Sequence, residues 1–154
     1  MRTQAALESV RARLANAIPD MAAELYPDKP AEYRLLHPRG AFLVGYGGRR
    51  TEQPALMDLV VQDRTVDVQV TIMQRLLNGR GGVLDTLDDM IRVLVGFAPT
   101  DCGKLFLKSD GFLGENGGIW QYAATFSART VLTEDVDAQT GPLLNEIILV
   151  EDNT

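Results

Sequence analysis

The sequence contains one cysteine, Cys102, and one histidine, His37, in 154 residues. A single cysteine excludes an intrachain disulfide and a thiolate metal cluster, so we expect folding in a reducing cytoplasm. No apolar run approaches the roughly 18 residues that indicate a membrane span. The charges within residues 1–18 argue against a signal peptide. We therefore expect no membrane partner.

Basic residues are absent after Arg129, whereas six of the 21 acidic residues lie beyond it. The other 15 acids balance the 15 bases, so the formal net charge of −6 comes from the C-terminal stretch. Binding to a nucleic acid backbone requires a net basic face. The charge distribution therefore argues against DNA or RNA, and against sequence-specific recognition of either.

The sequence also lacks a recognisable catalytic or metal-binding pattern. A cysteine nucleophile needs a nearby base, and the sole candidate, His37, lies in an irregular segment between Leu36 and Pro38. Asp110 and Glu115 share a glycine-rich stretch, but their spacing matches no EF-hand loop. We predict that the protein is not an enzyme, binds no cofactor and has no metal site.

A glycine cluster at residues 79–82 raises the question of phosphate binding. It precedes a predicted helix, so its amides could hold an anion, but the Lys-Ser/Thr pair of a P-loop is missing. The favoured interpretation is a flexible loop. Loops that carry arginine are common at assembly surfaces.

The length and the hydrophobic content of 45% predict a single domain over residues 1–154. Apolar residues at helical spacing predict helices over 3–18 and 83–95. Alternation of apolar and polar residues predicts strands within 56–72 and over 119–129. Further strands are expected at 40–46 and 104–108, a short extended piece at 24–26, a turn or loop at 47–50 and a long turn at 110–118.

This order of elements predicts an α+β fold, in which two helices pack on one face of an antiparallel sheet of four to five strands. Residues 131–154 form an acidic and apolar C-terminal extension of the predicted domain. Its apolar cluster at 143–150 is expected to pack as a last strand or against a neighbouring subunit.

The order and spacing of several segments resemble those of a known protein family. These segments are 26–34 (YPDKPAEYR), 37–41 (HPRGA), 102–105 (CGKL), 109–115 (SDGFLGE) and 120–122 (WQY), together with the glycine-rich loop at 79–82. In these segments the chain resembles the Mu-like prophage tail-protein family that is assigned to tail termination. The resemblance covers about residues 7–130.

The resemblance implies a structural protein of a phage tail. Such a protein forms a ring, usually a hexamer, that stops polymerisation of the tail tube and offers a surface to the head connector. The implied partners are other copies of the chain, the tail tube protein and the head–tail connector protein. The implied location is the tail of the virion, after assembly in the host cytoplasm. The resemblance brings no catalytic residues.

We predict that loops and apolar ends make the assembly contacts. The acidic excess would suit a channel through which DNA passes without binding tightly to the wall. The candidate contact residues are Arg49, Arg50, Gly79, Arg80, Gly81, Gly82, Asp110, Phe112, Leu113, Glu115, Leu143, Leu144 and Ile147.

Three alternatives stay open at this point. The first is a head–tail joining or minor tail subunit of the same particle. The second is a small hydrolase that uses Cys102 and His37. The third is an independent binding domain with no tail.

Overall fold

The computed structural model describes residues 1–54 and 58–135. Within them the chain folds as α+β, as predicted. The elements in chain order are helix α1 (Thr3–Ala17), strand β1 (Ala22–Leu25), a short 3-10 helix (Pro30–Glu32), strands β2 (Gly40–Thr51) and β3 (Val61–Gln74), helix α2 (Val83–Leu94), and strands β4 (Phe106–Asn116) and β5 (Ile119–Thr133).

The five strands form one sheet in the order β1-β2-β3-β5-β4. The β2–β3, β3–β5 and β4–β5 pairs are antiparallel, which confirms the predicted sheet type for most of it. The β1–β2 pair is parallel, so the sheet is mixed. A parallel pair needs a crossover connection, because the chain must return to the starting edge. Residues 26–39 provide it; we call them the strap.

Both helices pack on one face of the sheet, as predicted, and the main hydrophobic core lies between the two layers. Phe42 of β2, Ile72 of β3 and Phe126 of β5 are fully buried in it. Period-two alternation in the strands places these side chains on the same face. The helices contribute side chains at three- and four-residue spacing to the same core: Leu7, Val10, Leu14, Leu87, Met90 and Leu94.

The strap covers part of the other face, which we call the second face. Leu35 of the strap packs there against Ala41 and Leu43 of β2. The guanidinium group of Arg75 donates to the carbonyl oxygens of Leu35 (2.9 Å), His37 (2.7 Å) and Pro38 (3.2 Å). These bonds hold the strap against the end of β3.

Two stretches that were predicted as loops are strands, and here the sequence-based prediction is wrong. Residues 47–50 continue β2, with a register shift at Gly48 that its positive φ of 119° accommodates. Residues 110–116 belong to β4, and the turn contains only Gly117 and Gly118. Both glycines have positive φ, as a two-residue hairpin turn requires. Pairing with β5 therefore overrides the low strand preference of a glycine-rich stretch.

Strand β5 also runs further than predicted, to Thr133. Arg129, Val131 and Thr133 of β5 pair with the first half of β3. The start of the predicted C-terminal extension is therefore part of the sheet. The predicted apolar cluster at 143–150 lies outside the described residues.

Candidate assembly surfaces

The sheet places most of the described candidate contact residues towards two opposite ends, whereas Asp110 pairs with Ala124 near the middle of the sheet. We call the end that holds the Gly117–Gly118 turn the turn end, and the end that holds Arg50, Thr65 and Arg129 the distal end. Thr65 and Gln74 mark the two ends along β3. They are nine residues apart, which corresponds to about 30 Å of strand. The candidates therefore belong to separate surfaces.

Arg49 and Arg50 lie at the distal end of β2, on opposite faces of the sheet. The Arg49 guanidinium donates to the Tyr46 hydroxyl (2.6 Å) and to the Thr3 hydroxyl. It also lies 5.0 Å from the centre of the Tyr46 ring. These contacts tie Arg49 to α1, whereas Arg50 projects from the second face. Of the two, Arg50 is the better placed to contact a partner.

The glycine loop at 79–82 lies at the turn end, where three hydrogen bonds hold it to neighbouring residues. The Gln74 side-chain amide donates to the carbonyl of Gly81 (2.8 Å), and the amide of Gly81 donates to the Asp85 carboxylate (3.2 Å). The amide of Gly82 donates to the carbonyl of Gly79 (3.1 Å). These amides are occupied, and the carboxylate of Asp85 repels an incoming anion. The arrangement disfavours phosphate binding.

Strand β4 forms an edge of the sheet, and it carries Asp110, Phe112, Leu113 and Glu115. Phe112 is 55% exposed and Leu113 is 56% exposed. Within the described residues, no strand pairs with the outer edge of β4. Unpaired backbone groups on such an edge are a ready site for pairing with another chain.

The side chains of β4 face two different surfaces. The Phe112 ring centre lies 5.3 Å from that of Tyr122 and 6.1 Å from that of Trp120, which extends the helix-covered face as an exposed aromatic cluster. Leu113, at a register shift, lines a groove on the second face. Glu115 accepts a hydrogen bond from the amide of Gly118 (2.7 Å), which fixes the turn.

The groove that Leu113 lines was not predicted from the sequence. It lies between the strap and the turn end of β4 and β5, with a volume of about 470 Å³. Tyr26 and Tyr33 of the strap line one side, and Ile119 lines the other. The apolar residues of the strap were visible in the sequence, but their partners on β4 and β5 lie more than 70 positions away in the chain. Only the fold brings them together.

Polar side chains occupy the rest of the second face. Asp67 of β3 accepts hydrogen bonds from the Ser127 hydroxyl and from the Lys108 ammonium group, the latter at 3.0 Å. Burial raises the pKa of Asp67, but these hydrogen bonds and the charges of Lys108 and Arg50 outweigh burial and hold the pKa below its ordinary value. This cluster stabilises the sheet through a charged network.

Cys102 and His37 lie at opposite ends of the sheet. The loop that holds Cys102 is attached near the distal end, where the amide of Gly103 donates to the carbonyl of Arg129 (2.7 Å). His37 lies at the turn end, where its Nδ1 accepts from the amide of Arg39 (3.1 Å). Burial raises the pKa of the Cys102 thiol, which favours the unreactive neutral form. The two side chains do not form a nucleophile–base pair.

Across residues 1–54 and 58–135, no three His, Cys, Asp or Glu side chains cluster as metal ligands would. Neither helix has the length and the apolar character that crossing a bilayer would require. Leu143, Leu144 and Ile147 lie outside the described residues.

The described part of the chain is thus an α+β domain whose notable features are an exposed strand edge, exposed aromatic and aliphatic side chains, and an open groove. Its sequence matches the Gp37 protein family over residues 10–151. The chain belongs to this phage-associated family. No curated protein matches the chain.

Proposed function

We propose that this protein is a structural subunit of a phage tail that caps the tail tube. It assembles with its own copies into a ring, most simply a hexamer, ends tube polymerisation and presents a surface to the head connector. Membership of the Gp37 family over most of the chain supports a phage structural role. The resemblance in the segments around Tyr26, Cys102 and Trp120 supports the tail-terminating role within it.

The distribution of exposed surfaces supports ring formation. A ring forms from a heterologous contact, in which one patch of each copy binds a different patch of the next copy. The turn end exposes Phe112 and Leu113, and the distal end exposes Val131 at 50%. These two dissimilar surfaces at opposite ends of one sheet suit head-to-tail association.

Electron microscopy of the purified protein mixed with tube protein tests this proposal. The expected result is a ring seated on one end of each tube, with tubes that stop growing. Normal tube growth in the presence of excess protein would contradict it. Deletion of the gene from the phage would separately be expected to give tails of uncontrolled length.

A head–tail joining role is the nearest alternative, because it uses the same kind of surface. The deletion distinguishes the two roles. Tails of normal length that fail to attach to heads would favour joining over termination.

We also propose that the protein acts without catalysis. The separation of Cys102 from His37 across the sheet is the observation that supports this. The double variant Cys102→Ala with His37→Ala is expected to cap tubes as the unaltered protein does. Loss of capping by a double variant that folds normally would contradict a purely structural role.

A further inference from the structure

The groove on the second face offers a surface, part apolar and part polar, that the described residues leave open. Its apolar lining includes Tyr26, Tyr33, Leu43, Met73, Leu113 and Ile119. Leu43 is buried under the strap, but Leu113 at the rim is 56% exposed. Concave apolar surfaces of this kind are typical of binding sites, and exposed apolar patches mark sites of association.

The chain itself contains a segment whose composition complements the groove. Residues 143–150 (LLNEIILV) are apolar at six of eight positions, and Glu146 is the one charged residue among them. Among the described residues that line the groove, Arg34 alone is charged. An apolar segment with one acidic residue thus matches the apolar part of the groove and its one basic residue.

The length of the chain limits how far this segment can reach towards the groove of its own copy. Ile119 lies in the groove at the turn end, and β5 then runs away from it for 15 residues. At the distal end the amide of Glu134 donates to the carbonyl of Val60 (3.0 Å). At the rise per residue of a strand, residue 135 is therefore at most about 50 Å from Ile119 and about 40 Å from Thr71, which lines the nearer part of the groove and pairs with Ala123 of β5.

A segment that starts at residue 135 can cover this distance only if it is almost fully extended. Leu143 lies at most about 29 Å from residue 135, and Ile147 at most about 43 Å, even if the backbone is fully extended. Leu143 and Leu144 therefore fall short of the groove of their own chain, and Ile147 reaches its nearer part, at Thr71, only if the backbone is fully extended. The groove of an adjacent copy is subject to no such limit.

We infer that residues 143–150 of one copy occupy the second-face groove of the next copy in the closed assembly. The segment leaves one subunit at its distal end and binds the turn end of its neighbour. Each copy gives one segment and receives one, so the contact is heterologous and closes when the ring closes. This inference rests on the self-association in the proposed function and names the surfaces that make it.

Cross-linking between two variants of the full chain tests the inference. Both carry Cys102→Ser, so that no native thiol reacts. One carries Ile119→Cys in the groove, and the other carries Ile147→Cys in the segment. After mixing, a short bifunctional maleimide is expected to join one variant to the other, and a chain with both substitutions is expected to give a ladder that ends at the size of the ring.

A matched control replaces the groove position by Leu84→Cys, an exposed position of α2 on the helix-covered face. Cross-linking with Ile147→Cys is then expected to fall to the level of random collision. Yields from Ile119→Cys no higher than from this control would overturn the inference. A cross-link confined to single chains of the double variant would also overturn it, because the segment would then fill its own groove.

The outcome is separable from that of the tube-capping experiment. A ladder without tube capping would support the exchange of segments and contradict the proposed function. Rings on tube ends without cross-linking above the control would support the proposed function and overturn the exchange of segments.

Discussion

The two faces of the sheet differ in what covers them. The helix-covered face buries large side chains such as Phe126, Phe42 and Ile72 between two layers. The second face has a smaller core under the strap, an open groove beside it and a polar cluster around Asp67. The first face has the contacts that stabilise the fold, and the second leaves surface available to a partner. The difference suits a protein that functions by association.

The largest expected effect concerns the helix-covered face. Phe126→Ala should lower the free energy of unfolding by about 3–5 kcal/mol, because it leaves a cavity in the core. Phe112→Ala, at an exposed aromatic position of β4, should lower it by only about 1 kcal/mol through lost ring contacts. Urea unfolding of both variants measures the difference. Equal losses would show that β4 contributes to the core as much as β5 does.

The next effect concerns the attachment of the strap to the second face. Arg75→Ala should lower the free energy of unfolding by about 2 kcal/mol, because it removes hydrogen bonds from a charged donor to strap carbonyls. Arg92→Ala is the control, since Arg92 forms an exposed ion pair with Asp89, and it should change stability by less than about 0.5 kcal/mol. Similar values for the two variants in urea unfolding would mean that the strap is not held by Arg75.

A smaller effect concerns the polar cluster. Asp67→Asn should lower the free energy of unfolding at neutral pH by about 1 kcal/mol. A carboxyl whose pKa is depressed in the folded state stabilises the fold above its unfolded pKa and loses this contribution as pH falls through the folded pKa. The two proteins should therefore converge in stability in acid. A difference that persists at the lowest pH would assign the effect to packing instead.

The smallest effect concerns Tyr33, at the wall of the groove. Burial and the neighbouring carboxylate of Glu24 raise the pKa of Tyr33 to about 12. A raised pKa in the folded state means that the neutral phenol stabilises the fold below the unfolded pKa, and that this contribution disappears as pH rises through about 12. Phenolate absorbance should show a transition there. Tyr33→Phe should abolish that transition, and its survival would assign it to another tyrosine.

The sequence allowed the elements with strong periodicity to be predicted correctly. Both helices and the alternating strands at Val66–Ile72 and in β5 could be predicted, since each buries one face and shows it in its pattern. The start of β4 lies within the predicted strand at 104–108, but residues 110–116 could not be predicted as strand, because glycines at 111, 114, 117 and 118 are typical of turns. The conformation of this stretch comes from pairing with β5, a tertiary contact that local preference does not encode.

The candidate surfaces likewise divide into those that the sequence indicates and those that only the fold forms. Exposed residues of β4 such as Phe112 and Leu113 could be proposed from the sequence, whereas the groove between the strap and β5 could not. The loop at 79–82 was predicted to be flexible, because its composition shows the glycines but not the bonds from Gln74 and to Asp85. Side chains seven and four residues away from Gly81 make those bonds, and the glycine composition alone does not indicate them.

By itself, the sequence determined the fold class, the two helices on one face and the acidic excess beyond Arg129, because these follow from local periodicity and from counting charges. The tertiary structure decided that β1 pairs in parallel with β2, that Cys102 and His37 are kept apart, and that a groove forms between the strap and the turn end. Each of these depends on which distant segments pair across the sheet. That choice is made by burial of the common core and not by the residues of any one segment.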